Sequence, residues 1–252
     1  WEEFYGSADV VRHYASQSRL QAPEQAIFER LGALLPDSEL LDLGVGGGRT
    51  TTALALRCRR YLGGDYAEPM VRACRERFSD LILNHDIRFE KVDARAMPFE
   101  DASFDIVLFS FNGIDLVGAD ARATVLAECR RVLRPGGRLV YSSHNLNWLD
   151  NRRGIRWAGL RDYLETHRFW SRMRRINQAV WPIAHRAWVE LTDPLAGGSN
   201  YYIRPAELVR QTLAQGFEDV SLFDLRGREV RDPQAQAGLS DPWIYLHARA
   251  SR

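Results

Sequence analysis

The feature that most constrains this chain is an apolar run that ends in a glycine-rich turn, read as LLDLGVGGGRT over residues 40–50. Residues 40–43 predict a buried strand, the glycines a tight turn, and the residues from Thr50 a helix. A strand that enters a helix through such a turn is typical of a parallel α/β sheet. The turn also leaves N–H groups at the helix start free to bind a ligand.

Strand and helix patterns alternate along most of the chain. Short apolar runs predict further strands at residues 60–63, 87–92, 104–109 and 138–142, with helices at 24–34, 50–57, 69–78 and 119–133. A helix at 205–215 precedes two predicted strands, 217–225 and 243–248, with no crossover helix between them. We therefore expect these two strands to form an antiparallel pair at the sheet edge.

Four segments follow from this pattern. We predict that residues 1–36 form a helical cover and that residues 37–145 form the core of the sheet. Residues 201–252 are predicted to complete the same sheet. Residues 146–200, here called the insertion, break the rhythm and contain five Trp, nine Arg and five acidic residues. We predict that the insertion is a helical lid over the carboxyl edge of the sheet, where open α/β folds bind ligands.

Charge and cysteine usage exclude several classes of protein. The 34 basic and 33 acidic side chains leave a net charge of +1, which argues against a protein that coats nucleic acid. No apolar run approaches the ~18 residues of a membrane span, and no leader pattern is seen, so we expect a cytoplasmic protein without a membrane partner. The three scattered cysteines predict neither a disulfide framework nor a metal site.

Acidic residues close the two strands that follow the glycine turn. Asp65 is placed to accept hydrogen bonds from both hydroxyls of a ribose, although a solvated aspartate is the plain alternative. Asp93 is placed to accept from the exocyclic amine of adenine, or to cap the turn after it.

The glycine spacing points away from a dinucleotide. The turn reads G-x-G-x-G, and Arg49 stands where the nicotinamide fingerprint requires its third glycine. Asp42, just before the turn, is a poor neighbour for a diphosphate and a good one for an ammonium group. The residues imply a ligand with an adenine, a ribose and an amino acid.

Five segments, in order, now carry a resemblance: DLGVGGG at 42–48, GGDYAEPM at 63–70, VDARAMPF at 92–99, SFDIV at 103–107 and RVLRPGG at 131–137. With them the chain resembles the class I S-adenosylmethionine-dependent methyltransferases of the type called methyltransferase domain 11 or 25. The match covers residues 38–145 and resumes weakly at 202–217. It implies a Rossmann-like, seven-stranded mixed sheet with helices on both faces, and S-adenosylmethionine as the cofactor, with S-adenosylhomocysteine as the product.

The resemblance also implies which residues contact the cofactor. The methionine part would meet Asp42, Gly44 and Gly46, and the ribose would meet Asp65. The adenine would meet Asp93, Ala94 and Arg95, while Tyr66 and Met70 would pack on the adenine or the ribose. The methionine arm and the sulfonium end would meet Ser110 and Phe111.

Candidates for the methyl acceptor's side lie at strand ends and in the first helix. His144 is the candidate base because a histidine titrates near neutral pH, with a hydrogen-bonded loop histidine as the alternative. The candidates for contact with the acceptor are Tyr14, Asn112, Asn145, Tyr202 and Arg204. The aromatic residues Trp157, Phe169, Trp170 and Trp181 would either roof the acceptor or form the insertion's own core.

We predict methyl transfer by in-line displacement to an oxygen or nitrogen of a small molecule, such as a natural product or a glycan intermediate. One alternative is an RNA or protein methyltransferase that docks through the basic insertion. Another is a non-catalytic relative that only binds the cofactor. The sequence is also compatible with a homodimer.

Overall fold

A computed structural model describes residues 7–151, 160–193 and 198–252, so Trp157 lies outside the described residues. The strands are β1 Glu39–Leu43, β2 Arg60–Asp65, β3 Ile87–Lys91, β4 Phe104–Phe109, β5 Leu133–Asn145, β6 Trp188–Thr192, β7 Ser199–Ile203, β8 Phe217–Phe223, β9 Glu229–Val230 and β10 Trp243–Ala250. The α-helices are α1 Ala8–Ala15, α2 Ala22–Arg30, α3 Thr51–Leu54, α4 Glu68–Arg77, α5 Ser79–Asn84, α6 Ala119–Val132, α7 Leu146–Asn151, α8 Leu160–Ile176, α9 Pro205–Ala214 and α10 Pro233–Ala237.

The strands form one mixed sheet with the order β3-β2-β1-β4-β5-β10-β8-β9. The pairs from β3 to β5 are parallel, whereas β10 lies antiparallel between β5 and β8. The predicted antiparallel closing pair, β8 with β10, is confirmed. The prediction of seven strands is wrong, because the described residues form ten.

The two faces of the sheet bury separate apolar layers, which confirms helices on both faces. Alternate residues of a strand point to opposite faces, so Leu41 belongs to one layer and Leu40 to the other. The first layer packs against α6 through Val125, and the second against α2 through Phe28. The parallel strands are therefore covered on both faces, as their apolar runs predict.

The insertion is not purely helical as predicted. After α7 and α8 it folds into the antiparallel hairpin β6–β7, and β7 pairs with the end of β5, where His144 faces Tyr202. The hairpin forms because alternate residues, such as Val189 and Leu191, are buried against α7 and α8. Phe169, Trp170 and Trp181 pack against the same cluster, so these aromatic residues form the insertion's own core.

Most of the other predicted elements match, with shifts at their ends. The predicted helix at 50–57 is a short α3 followed by a 3₁₀ turn, and the predicted helix at 24–34 is α2, which begins at Ala22 and ends at Arg30. Within the described part of the chain, no helix is long and apolar enough to span a bilayer.

Candidate functional site

A cavity of about 440 Å³ lies at the carboxyl ends of β1, β2 and β4. All eleven residues predicted to contact a cofactor line it, and so does Tyr14 of α1: the eleven are Asp42, Gly44, Gly46, Asp65, Tyr66, Met70, Asp93, Ala94, Arg95, Ser110 and Phe111. These residues come from five separate stretches of chain. The sheet order brings them together because parallel strands end at one edge.

The glycine turn after β1 forms one wall of the cavity. Gly44, Gly46 and Gly48 have φ of +62°, +55° and +79°, in the left-handed region that L side chains rarely adopt. A Cβ on Gly48 would also lie 2.3 Å from the Phe78 ring, and one on Gly47 would lie 2.3 Å from the backbone N of Ala15. The turn therefore packs directly against α1, with no room for larger residues.

Asp65, the last residue of β2, holds this turn. Its Oδ2 accepts the Gly46 N–H at 2.9 Å, and its Oδ1 accepts the Ala67 N–H at 2.9 Å. Burial raises the pKa of Asp65. Each carboxylate oxygen can accept a further hydrogen bond, so Asp65 can still receive the hydroxyls of a ribose.

The side chain of Asp42 is buried rather than exposed to solvent. Its Oδ2 accepts hydrogen bonds from the hydroxyls of Thr50 and, at 2.5 Å, Tyr61. Burial raises the pKa of Asp42 to about 6, although both hydroxyl donors oppose the shift. Sequence reasoning missed these partners, since a tyrosine in the buried strand β2 has the same pattern as an apolar residue.

The end of the cavity where the adenine is predicted to bind carries charged side chains that are partly exposed to solvent. The Arg95 guanidinium donates to both oxygens of Asp93, with Nη2 to Oδ2 at 2.7 Å. These hydrogen bonds lower the pKa of Asp93. Lys91 and Arg95 also lie over the Tyr66 ring, at 5.4 and 5.6 Å from its centroid. Tyr66 is therefore held as an aromatic wall beside this end.

A buried ion pair closes the opposite end of the cavity, and sequence reasoning missed it. Arg49 donates two parallel hydrogen bonds of 2.6 Å to Glu24, which is fully buried in α2. The hydroxyls of Ser110 and Tyr245 also donate to Glu24. The Arg49 guanidinium lies 5.3 Å from the centroid of Phe111. Glu24 thus joins α2 to the cavity wall.

The chain turns sharply where β4 leaves the cavity. Phe111 and Asn112 have φ of +53° and +62°, which is uncommon for residues other than glycine. The Asn112 N–H donates to Ser142 Oγ at 2.8 Å, while its side-chain Oδ1 is buried without a hydrogen-bond partner among the described residues. Asn112 itself does not line the cavity.

His144 lies at the end of β5, beside the cavity rather than in its lining. Its Nδ1 is 2.8 Å from Oδ2 of Asp115, a buried residue in the 3₁₀ turn after β4. The ring of Tyr202 lies against the imidazole, with 5.1 Å between centroids. The sequence placed His144 at a strand end, but the pairing with Asp115 was missed.

The remaining predicted contacts are occupied by the chain itself. The Asn145 amide donates to Leu239 O at 2.9 Å and accepts the Asn147 N–H at 3.0 Å. Arg204 donates to Asn147 Oδ1 at 2.6 Å and forms an ion pair with Asp150. Both residues fasten the insertion to the sheet, and neither lines the cavity.

Comparison with known proteins finds similarity to methyltransferases. The profile of a family described as a methyltransferase domain matches residues 40–137. Demethylmenaquinone methyltransferase of Clavibacter sepedonicus is 35% identical over 111 residues, which are 44% of this chain and 43% of that protein. The chain spans about half the length of the curated relatives that it matches.

Two solved structures share the fold. The CcbJ methyltransferase of Streptomyces caelestis has a TM-score of 0.64 and 22% identity, with all of both chains covered. A 1,6-didemethyltoxoflavin-N1-methyltransferase of Burkholderia thailandensis has a TM-score of 0.57 and 19% identity, covering 92% of this chain and 79% of that one. That structure contains 1,6-didemethyltoxoflavin and S-adenosylhomocysteine.

Proposed function

We propose that this protein is a methyltransferase that transfers a methyl group from S-adenosylmethionine to a small molecule, in keeping with the methyltransferase-domain profile that matches residues 40–137. One observation carries the proposal: the cavity is lined at once by the glycine turn, Asp65 and Asp93. These groups come from three different strand ends and match the three parts of the cofactor, namely the amino acid, the ribose and the adenine.

The residues present fit that cofactor. The positive φ of Gly44 and Gly46 turns the chain so that a ligand can approach its backbone closely. The two Asp65 oxygens each keep an acceptor site for a ribose hydroxyl. Tyr66 and Met70 supply flat and apolar surface at the adenine end, where Ala94 also lines the cavity. When bound, the cofactor supplies a methyl group already activated on a sulfonium.

The protein's own part is to position the acceptor and to exclude water. Phe109, Phe111, Leu116 and Val117 add largely apolar surface to the cavity lining. A cavity of about 440 Å³ has a volume typical of small-molecule sites. Two relatives support this, because their names specify small acceptors, demethylmenaquinone and 1,6-didemethyltoxoflavin.

Isothermal titration calorimetry with S-adenosylhomocysteine and NADH tests the cofactor. We expect S-adenosylhomocysteine to bind and NADH not to bind. The Asp65→Ala variant should bind S-adenosylhomocysteine about 10–100-fold more weakly, since a hydrogen bond to a charged group contributes roughly 1.5–3 kcal/mol.

Asp80→Ala is the matched control, because Asp80 is an exposed carboxylate in α5. The Asp80→Ala variant should bind S-adenosylhomocysteine with the same affinity as the unchanged protein. Binding of NADH in place of S-adenosylhomocysteine would overturn the proposed function. An unchanged affinity in Asp65→Ala would remove Asp65 from the ribose site.

A further inference from the structure

A buried carboxylate beside the cavity has a hydrogen-bond arrangement that the cofactor does not explain. Asp115 is 1% exposed and accepts four hydrogen bonds. Its Oδ1 receives Arg122 Nη1 at 2.7 Å and Ser143 Oγ at 2.6 Å. Its Oδ2 receives the backbone N–H of His144 at 2.6 Å and lies 2.8 Å from the imidazole Nδ1. The carboxylate is thereby locked in one orientation.

This arrangement decides which imidazole nitrogen carries the proton. A carboxylate bound to an arginine can only accept, so Nδ1 of His144 is the donor. The neutral ring then has its lone pair on Nε2. The side chain of His144 keeps 24% of its surface exposed, whereas that of Asp115 keeps none. A base that is oriented by a buried carboxylate and open to solvent is the usual arrangement for proton abstraction.

The position of the pair is also suited to an acceptor. Gly113, Leu116 and Val117, on either side of Asp115 in the chain, line the cavity next to Phe111. Tyr202 of β7 lies against the imidazole. Through its contact with Asp115, His144 therefore lies next to a segment that lines the cavity.

The titratable and charged groups around the imidazole come from each neighbouring element. They are Asp115 of the 3₁₀ turn, Arg122 of α6, Tyr202 of β7 and, further along the hairpin, Glu190, which accepts the Ala119 N–H at 2.8 Å. Arg122 is paired with Asp115 and lies 4.6 Å from the Tyr201 ring centroid, so its charge is held on the carboxylate's far side from the imidazole.

We propose that His144 is the general base of this methyltransferase, that Asp115 is its positioning residue, and that the acceptor is a hydroxyl compound. This inference rests on the proposed function. The hydroxyl proton passes to Nε2 of His144 while the oxygen's electron pair forms the bond to the methyl carbon. The carbon–sulfur bond of the cofactor breaks with its electron pair left on sulfur. The imidazolium that results is paired with the Asp115 carboxylate.

A hydroxyl acceptor follows from the need for such a base. A thiolate or a neutral amine already has an available electron pair, and a sulfonium leaves readily without assistance. A hydroxyl is a weak nucleophile until its proton is removed, so this class of acceptor gains more from an oriented imidazole than a thiolate or a neutral amine does.

The first test is acceptor-independent and uses long-range ¹H–¹⁵N spectra of the histidine rings, with His144 assigned by its absence in His144→Gln. We expect the Nδ1-protonated tautomer in the unchanged protein and in Asp115→Glu. Asp115→Asn should lose that signature, because an amide can donate as well as accept. Asp120→Asn, an exposed carboxylate in α6, is the matched control and should leave the signal unchanged.

The second test compares oxygen with sulfur. A panel of phenols and their thiol counterparts is methylated with S-adenosylmethionine by the unchanged protein, His144→Gln and Asp115→Glu. His144→Gln should lower methylation of the phenols by about 100-fold or more, with the thiols within a few-fold, since they ionise without help. Asp115→Glu should restore most of the phenol activity.

The outcomes separate this inference from the proposed function. An Nε2-protonated tautomer in the unchanged protein, or an equal loss for oxygen and sulfur acceptors, would overturn the dyad while leaving S-adenosylhomocysteine binding intact. Failure of S-adenosylhomocysteine to bind would instead overturn the proposed function. Where no member of the panel is methylated, an Nε2-protonated tautomer still overturns the inference, and an Nδ1-protonated tautomer supports the orientation of His144 by Asp115.

Discussion

At the scale of single residues, Asp42 shows how burial raises the pKa of a carboxyl group. The side chain is 1% exposed, and the hydroxyls of Thr50 and Tyr61 are its hydrogen-bond donors. Removal from water disfavours the charged form more than the two hydroxyls favour it. The pKa of Asp42 therefore rises from 3.8 to about 6.

This shift predicts the pH dependence of an Asp42→Asn variant. The folded state binds the proton more tightly than the unfolded state, so the stabilisation by Asp42 is complete below pH 3.8 and is lost as the pH rises through about 6. A shift of about two units corresponds to about 3 kcal/mol. We expect the free energy of unfolding of Asp42→Asn, relative to the unchanged protein, to be about 2.5 kcal/mol higher at pH 7.5 than at pH 4, because a small part of the loss is already present at pH 4.

Urea denaturation at the two pH values measures this difference. Asp80→Asn, an exposed carboxylate, serves as the control and should show none of it. Equal differences at both pH values for Asp42→Asn would contradict the raised pKa.

At the scale of elements, α2 is attached to the sheet by one buried ion pair in addition to apolar packing. Glu24 reaches Arg49 just past the glycine turn, Ser110 at the end of β4 and Tyr245 in β10. A single side chain thus links four elements around the wall of the cavity. Removing one partner of a buried ion pair destabilises a protein much more than replacing both partners with apolar residues does.

Glu24→Gln should therefore lower the free energy of unfolding by about 3–5 kcal/mol, because the Arg49 guanidinium stays buried without its partner charge. Urea denaturation at neutral pH measures it. Glu29→Gln, an exposed residue of the same helix, should change stability by only about 0.5 kcal/mol or less. A similarly small effect of Glu24→Gln would show that apolar packing alone holds α2.

At the scale of the whole molecule, the sheet encloses a histidine far from the cavity. His247 lies in β10 between β5 and β8, is 4% exposed, and neither of its ring nitrogens has a hydrogen-bond partner among the described residues. Burial, followed by the charges of Arg138 and Arg30, lowers its pKa from 6.5 to about 4. Burial within the sheet therefore keeps this ring neutral.

The lowered pKa predicts a loss of stability in acid. The stabilisation is present above pH 6.5 and is lost as the pH falls through about 4, by about 3 kcal/mol for a shift of about 2.5 units. Urea denaturation from pH 7.5 to 4 should show this loss in the unchanged protein. His247→Gln should show a flatter profile over that range, whereas His13→Gln, an exposed histidine, should not. Parallel profiles for the unchanged protein and His247→Gln would refute the prediction.

The sequence by itself determined the parallel core and a set of residues that line the cavity. Apolar runs, turn glycines and acids at strand ends are patterns among chain neighbours, and they act before any distant contact forms. Parallel strands end at one sheet edge, so placing Asp42, Asp65, Asp93 and Ser110 after successive strands already predicts their convergence. The structure brings all of them to one cavity.

Only the tertiary structure decided the contacts between distant segments. Glu24 meets Ser110 across 86 residues and His144 meets Asp115 across 29, and neither pair leaves a local pattern. The hairpin β6–β7 was missed for the same reason, since its residues form strands by pairing with β5 and packing on α7 and α8. How deeply a side chain is buried and which groups it contacts depend on the assembled sheet. The raised pKa of Asp42 and the orientation of the His144 imidazole follow from these contacts.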